Sequence, residues 1–322
     1  MKFQLFKIKP FVMKKNLFSS GVLLLMLFCL CTCGNRKSKE DKDHVISELK
    51  TVFINGESIH YIDKGKGDPI ILVHGGLGDY RTWGAQMDTF AQNHRAIAYS
   101  RRFAYPNNQI IGDSSDYSGI SHEKDLAELV KSLNLGPVHL VGHSGGGRVA
   151  LLTTLDHPEL VRSLTLGEPA LMSMLENVPG GDTMPNKLGK AWELMTEEFK
   201  NNNNEKAVTI FIGAVTDDSL YFSKLPKRDQ KIMMDNTLDF RESPIRKSSR
   251  RSITCDDLKK IKAPVLLLKG DISPLFLTSM VDELDRCLRD KELVTLPNTS
   301  HGLPFENPAE FNKIVLGYIN KH

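Results

Sequence analysis

Cysteine is scarce in this chain of 322 residues and badly placed for a structural framework. Three of its five cysteines crowd into residues 29–33, leaving only Cys255 and Cys287 for the remainder. That excludes a disulfide-dense scaffold; the remaining two either pair in an oxidising compartment or fill space as small buried residues. The histidines are scattered without ligand spacing, so no metal site is implied and no cofactor motif is present. A membrane-spanning run is missing as well. The unbroken apolar stretch at residues 22–31 reaches about half the length a spanning helix needs. No repeat period occurs, and the one low-complexity patch, four asparagines at 201–204, reads as a surface loop. Charge of one sign is also lacking. Residues 1–32 hold five lysines and no acidic residue, so without them the formal net charge of +3 becomes −2. The basic balance therefore belongs to the N-terminal segment, and nothing points to nucleic acid as a partner. What remains is an ordinary globular composition, 40% hydrophobic and 25% charged, of a length that suits one large α/β domain with an inserted subdomain.

The N-terminal order of basic residues, apolar run and polar stretch (34–43) is that of an export signal. Leu30-Cys31-Thr32-Cys33-Gly34 resembles a bacterial lipobox, whose cysteine becomes lipidated and forms the mature N-terminus. Cys33 fits that role, with Cys31 and Cys29 open as alternatives, and a simple membrane anchor is the competing reading. Met13-Lys14-Lys15 also looks like a signal start, which leaves Met1 and Met13 both open as the first residue. The expected organisation is a signal peptide over 1–33, a polar tether over 34–46 and a folded domain over 47–322. It places the protein outside the cytoplasm, held at the bacterial cell envelope by an N-terminal lipid or anchor.

Along the folded part, Asn55-Gly56 between residues 51–54 and 58–62 predicts a β-hairpin. Short apolar runs at 70–73, 96–99, 138–141, 164–166, 265–268 and 293–296 predict buried strands. Helical patterns fill the intervals around 83–93, 121–133, 277–288 and 308–319. Such alternation implies a mostly parallel central sheet with helices on both faces. Residues 171–251 break the alternation: they carry helical patterns at 188–199, 208–215 and 228–238 and no clear strand. They predict a helical cap over the carboxyl edge of the sheet, where open α/β sheets bind ligands.

The most informative stretch is Val138-His139-Leu140-Val141-Gly142-His143-Ser144-Gly145-Gly146-Gly147. A buried strand runs into G-x-S-x-G and then a helix, which is the pattern of a nucleophile elbow. The strained turn leaves no room for side chains two positions either side of the serine, so Gly142 and Gly146 are expected to avoid a mutual collision. The amide of Gly145, at the helix start, is left free to bind a developing negative charge.

With His74-Gly75-Gly76 after a strand, the Ser144 elbow, the cap insertion and a late histidine in Asn298-Thr299-Ser300-His301-Gly302, residues 50–320 resemble the α/β-hydrolase fold family with a helical lid. The resemblance implies Ser144 as nucleophile, His301 as general base, and the amides of Gly76 and Gly145 as oxyanion hole. It departs from the common pattern at the carboxylate. Most relatives carry G-[ED]-x-D after the penultimate strand, whereas Gly270-Asp271-Ile272-Ser273 has Ser273 at the usual acid position. Some haloalkane dehalogenases in the fold carry the acid after the strand that follows the elbow helix. Leu166-Gly167-Glu168-Pro169 puts Glu168 there, so Glu168 is the expected acid and Asp271 the alternative. Dehalogenases and epoxide hydrolases use an aspartate nucleophile, and Ser144 argues against both.

Blander readings accompany each residue. His74 is expected to brace its own loop, His143 to pack near the pocket, and Arg101-Arg102 to be structural. Trp83, Phe103, Met172, Met174 and Met195 line an acyl pocket or pack in the core. The expected activity is cofactor-independent cleavage of an ester, thioester or lactone, with a small-molecule acyl substrate as the partner. C–C bond hydrolysis and perhydrolysis on the same residues stay open, as does a catalytically degenerate ligand receptor. The oligomeric state is unknown.

Overall fold

Asn55 and Gly56, at φ of 48° and 81°, turn the chain between strands β1 (Lys50–Ile54) and β2 (Glu57–Lys64), which pair antiparallel. Asparagine and glycine tolerate this left-handed backbone, which explains why the pair marks the hairpin. The computed structural model describes residues 48–107, 119–181, 183–242 and 251–322. The expected signal peptide and tether lie outside the described residues.

Six further strands follow: β3 (Pro69–Val73), β4 (Arg95–Tyr99), β5 (Val138–His143), β6 (Val161–Gly167), β7 (Val265–Gly270) and β8 (Lys291–Leu296). They form one eight-stranded sheet in the order β1-β2-β4-β3-β5-β6-β7-β8. Only the β1–β2 and β2–β4 pairs are antiparallel. The helices that interleave are α1 (Gly84–Phe90), α2 (Gly119–Ser132) and α3 (Gly145–Asp156), with α4 (Pro185–Lys200), α5 (Asn204–Thr216), α6 (Tyr221–Lys224), α7 (Lys227–Asp235) and α8 (Leu238–Glu242) inserted between β6 and β7. α9 (Cys255–Leu258) leads into β7, α10 (Leu275–Cys287) joins β7 to β8, and α11 (Leu303–Glu306) and α12 (Pro308–Ile319) end the chain.

The continuous apolar runs are explained by burial on both faces. Ile70 and Leu72 of β3 pack with Met87, Phe90, Phe311 and Val315 of α1 and α12. Ile71 and Val73 pack on the other face, with Leu126, Val149 and Val281 of α2, α3 and α10. Side chains two apart share a face and neighbours oppose each other, so a strand covered twice must be apolar throughout. Parallel register then brings the carboxyl ends of β3, β5, β6, β7 and β8 to one edge of the sheet.

Between β6 and β7 the described residues contain helices and no strand. The pattern read as one helix over 228–238 is split, because α7 stops at Asp235. The Asn236 side chain donates to the Ile232 carbonyl at 2.7 Å and to Asp79 Oδ2 at 2.6 Å, and accepts from the Tyr105 amide at 2.7 Å. A side chain committed to three such partners ends the helix. Trp83 packs in the core against Phe311, ring centroids 6.3 Å apart, and Phe103, Met174 and Met195 are buried too. Cys255 and Cys287 are joined by a disulfide that ties α9 to α10.

Candidate active site

Ser144 sits between β5 and α3 with φ 53° and ψ −122°. A non-glycine residue in such a conformation carries strain of about 1–3 kcal/mol, held here by surrounding hydrogen bonds. The Ser144 amide donates to the Gly167 carbonyl at 2.9 Å, and its carbonyl accepts from the amides of Arg148 and Ala170, both at 3.1 Å. The two elbow glycines are needed for different reasons. A Cβ on Gly142 would lie 2.7 Å from the Gly146 carbonyl oxygen, whereas one on Gly146 would lie 2.1 Å from the carbonyl oxygen of Val73. The expected clash of side chain with side chain is thus a clash of each with backbone, and Gly146 is dictated by the end of β3.

Glu168 follows β6 at φ 40°, fully buried. Its Oε2 lies 2.7 Å from His301 Nδ1, and its Oε1 accepts from the Gly270 amide at 2.9 Å. The carboxylate can only accept here, so the imidazole proton resides on Nδ1 and Nε2 keeps its lone pair. His301 lies in the loop after β8, so the ends of β6, β7 and β8 meet in this cluster. Asp271 is elsewhere. It is exposed, and its Oδ1 accepts from the Thr299 amide at 3.0 Å. The amides of Thr299 and then Asn298 hold its carboxyl below the ordinary range, which makes it a brace for the histidine loop. Ser273, at the usual acid position, has a buried Oγ with no hydrogen-bond partner among the described residues.

Two cavities meet at the serine. Ser144, Gly76, Phe211, Val215 and His301 line both. The larger, of about 550 Å³, extends between α3, α4 and α10 and is lined by Met172, Trp192 and Met280; Arg101, His122, Arg148 and Asp239 add polar groups. The smaller, of about 100 Å³, is walled by residues such as Ile212, Tyr221 and Met233 of the helical insertion and by Phe305. Of the sequence-proposed methionines, Met172 lines the larger of these two cavities, and Met174 and Met195 line neither. His143 also lines the smaller one and donates from Nε2 to the His301 carbonyl at 2.7 Å. Burial, then the neighbouring His301, push its pKa down to about 3, which keeps the ring neutral.

Gly76 and Gly145 are neighbours across the serine: a Cβ on Gly145 would lie 3.7 Å from the Gly76 nitrogen. Gly145 is the first residue of α3, where an amide has no partner within its own helix. The ring of Phe240, from α8, covers Gly76 so closely that a Cβ there would lie 2.5 Å from its Cζ. Phe240 in turn packs edge-on against Phe211 and at a tilt against Trp192, at ring-centroid distances of 4.7 and 5.5 Å. The Phe240 contact had no signal in the sequence, since an aromatic in an amphipathic helix reads the same whether it meets core or site.

A family model of the alpha/beta hydrolase fold matches residues 68–308. This chain belongs to the alpha/beta hydrolase fold family. Among curated relatives, this alpha/beta hydrolase is similar to the uncharacterized hydrolase YraK of Bacillus subtilis, 27% identical over 168 residues that span 52% of this chain and 58% of YraK. It is also similar to (E)-2-((N-methylformamido)methylene)succinate hydrolase of Acinetobacter baylyi, 28% identical over 113 residues, 35% of this chain and 41% of that protein. The match thus spans about half the length of these curated relatives. Among solved structures, the alpha/beta hydrolase resembles carboxylesterase CesB (YbfK) from Bacillus subtilis, with a TM-score of 0.70 and 22% identity over 87% of this chain and 93% of that one. Est816, described as an N-acyl homoserine lactone degrading enzyme, gives a TM-score of 0.65 and 21% identity over 84% of this chain and 100% of its own. At these identities the likeness establishes the fold.

Proposed function

We propose that this alpha/beta hydrolase is a cofactor-independent serine hydrolase that cleaves a carboxylic ester, thioester or lactone through an acyl-enzyme. The observation that carries the reading is the 2.7 Å bond between His301 Nδ1 and the fully buried Glu168. A serine hydroxyl is a weak nucleophile until an adjacent base takes its proton. With Nδ1 bound to Glu168, His301 offers its Nε2 lone pair on the wall of the cavities that Ser144 lines. Ser144 Oγ attacks the acyl carbon while its proton passes to Nε2, and the buried carboxylate stabilises the imidazolium that forms. The amides of Gly76 and Gly145 take the negative charge of the tetrahedral intermediate, each such donor typically being worth about 3 kcal/mol. The imidazolium protonates the leaving group, and water resolves the acyl-enzyme by the same steps in reverse order.

Structural neighbours described as a carboxylesterase and as an N-acyl homoserine lactone degrading enzyme support acyl chemistry. A ligand-receptor reading would rest on the missing acid after β7, and the Glu168–His301 bond supports catalysis over it. Labelling by a fluorophosphonate, which forms an Oγ–P bond and expels fluoride, tests the proposal. Wild type should label, Ser144→Ala should not, and Glu168→Gln should label slowly. Unlabelled wild type that is folded would overturn it. Profiling with esters, 1,3-diketones and peroxide-dependent substrates separates ester cleavage from C–C hydrolysis and perhydrolysis.

Export and lipid anchoring are proposed from the N-terminal sequence alone. The Cys255–Cys287 disulfide supports an oxidising compartment. Incorporation of labelled fatty acid, lost in Cys33→Ser, is the expected result; incorporation that persists without any of Cys29, Cys31 and Cys33 would sink it.

A further inference from the structure

One carbonyl beside the serine receives two hydrogen bonds. The amide of Arg101 lies 2.9 Å from His74 Nε2. An amide can only donate, so Nε2 carries a lone pair and the ring proton is on Nδ1. Nδ1 lies 2.8 Å from the Gly75 carbonyl oxygen and therefore donates to it. Arg101 Nη2 donates to the same oxygen at 3.0 Å. His74 is buried, and burial followed by the Arg101 charge holds its pKa well below the usual value, so this tautomer persists. Arg101 itself is only 8% exposed, has no carboxylate partner among the described residues, and leaves Nε without a partner. A desolvated guanidinium without a counter-ion is unfavourable, and simple packing gives no reason to keep one.

The carbonyl it serves belongs to the peptide group whose other end is the Gly76 N–H. We infer that Arg101 and His74 are positioning residues for the oxyanion hole, holding and polarising the Gly75–Gly76 peptide so that the Gly76 N–H is aimed at the developing oxyanion. The inference rests on the serine hydrolase reading above. The peptide is planar and trans, so fixing its oxygen fixes the direction of its N–H on the opposite side. Glycine on both sides gives this peptide the least intrinsic resistance to flipping. A side chain at 75 would crowd the serine, because a Cβ there would lie 3.1 Å from the Ser144 Cβ and 3.3 Å from His143 Nδ1. Rigidity must therefore come from outside, and the two donors supply it. They also withdraw electron density through the amide, which strengthens the N–H as a donor; such cooperativity is on the order of 10–30% per bond.

The test compares Arg101→Met, His74→Phe, and His74→Asn, whose amide nitrogen can replace Nδ1. Three quantities are read in each: kcat and KM on a p-nitrophenyl ester, the Ki of an alkyl trifluoromethyl ketone whose serine adduct carries the oxyanion, and the Kd of the intact ester in a Ser144→Ala background. Arg101→Met should lower kcat about 10- to 100-fold and weaken the ketone by the same factor, with KM and Kd within about twofold. His74→Phe should behave alike, and His74→Asn should recover most of the loss. Equal kcat in Arg101→Met and wild type would overturn the inference, as would a parallel loss in the Kd of the intact ester. If Arg101→Met does not fold, the contrast between His74→Asn and His74→Phe decides, and equal activity in those two overturns it. Wild type that fails to label with fluorophosphonate would defeat the hydrolase reading itself, a separate outcome.

Discussion

Tyr221 on α6 donates its hydroxyl to Glu306 on α11 across 2.6 Å, fastening the helical insertion to the segment that follows His301. Glu306 also accepts from the amide and hydroxyl of Ser300, the residue beside His301. One carboxylate therefore holds both a wall of the smaller cavity and the loop that carries His301. Tyr221→Phe removes a hydrogen bond worth about 1 kcal/mol and should lower kcat/KM about fivefold. Glu306→Gln, which weakens all three contacts, should cost more. Steady-state kinetics of the two variants check this ranking, and a Tyr221→Phe loss larger than that of Glu306→Gln would contradict it.

Glu168 and Asp271 are separated by their surroundings, one fully buried on His301 and the other exposed on a backbone amide. Glu168→Gln should reduce kcat by about 10³–10⁴-fold through the wrong imidazole tautomer. Asp271→Asn gives up part of a brace worth about 1 kcal/mol and should lose less than about tenfold. Rates measured side by side decide the assignment, which is reversed if Asp271→Asn is the more damaged.

Buried neutral histidines make the fold sensitive to acid. His74 and His122 are held well below their ordinary value and His143 near 3, in each case chiefly by burial. The unfolded chain takes up these protons near pH 6.5 while the folded chain does not. Their contribution is complete above that pH and is lost as pH falls towards the folded-state values, by about 1.4 kcal/mol per pH unit for each group. Glu123 acts in the opposite sense: burial, then its bond to Asp156, raise it to about 7, so its retained proton favours the fold at lower pH. His139, also buried and lowered to about 4 chiefly by burial, acts with these three, and four groups outweigh one. The urea midpoint should fall between about pH 6.5 and pH 5; a flat profile would contradict the argument.

The disulfide closes a loop with a sequence separation of 32. On chain entropy that contributes about 3–4 kcal/mol, so Cys255→Ser should lower Tm on the order of 10 °C. Calorimetry with and without reductant checks this: the variant should no longer respond to reductant.

The sequence carried the sheet well because its signals are local. Asn55-Gly56 fixes a hairpin by backbone preference, and runs such as Ile70 to Val73 are apolar throughout because both faces are covered. Gly142 and Gly146 were legible because the G-x-S-x-G spacing is a local pattern, although the contact that demands Gly146 comes from the carbonyl of Val73, far away in the chain. Glu168 was legible from an unexpected acid between Gly167 and Pro169 at the end of a buried run. The contacts that tune the site were not. Arg101 reaches Gly75 and Tyr221 reaches Glu306 across 26 and 85 positions of chain, and no periodicity encodes such meetings. Within the insertion, Met172 faces a cavity while Met174 and Met195 face the core. Apolar side chains look alike in the two settings.

Glu168 is gripped by β7 through the Gly270 amide, while the histidine it orients hangs from the far side of β8. β8 is an edge strand, and most of its residues are partly or fully exposed. Edges of sheets fray before centres do. The proposed base is therefore moored to an edge of the sheet, and the serine to its middle. On warming, turnover should fade at a temperature where circular dichroism still reports an intact sheet, and should return on cooling. On the proposed mechanism, turnover would then report the loosening of a single strand.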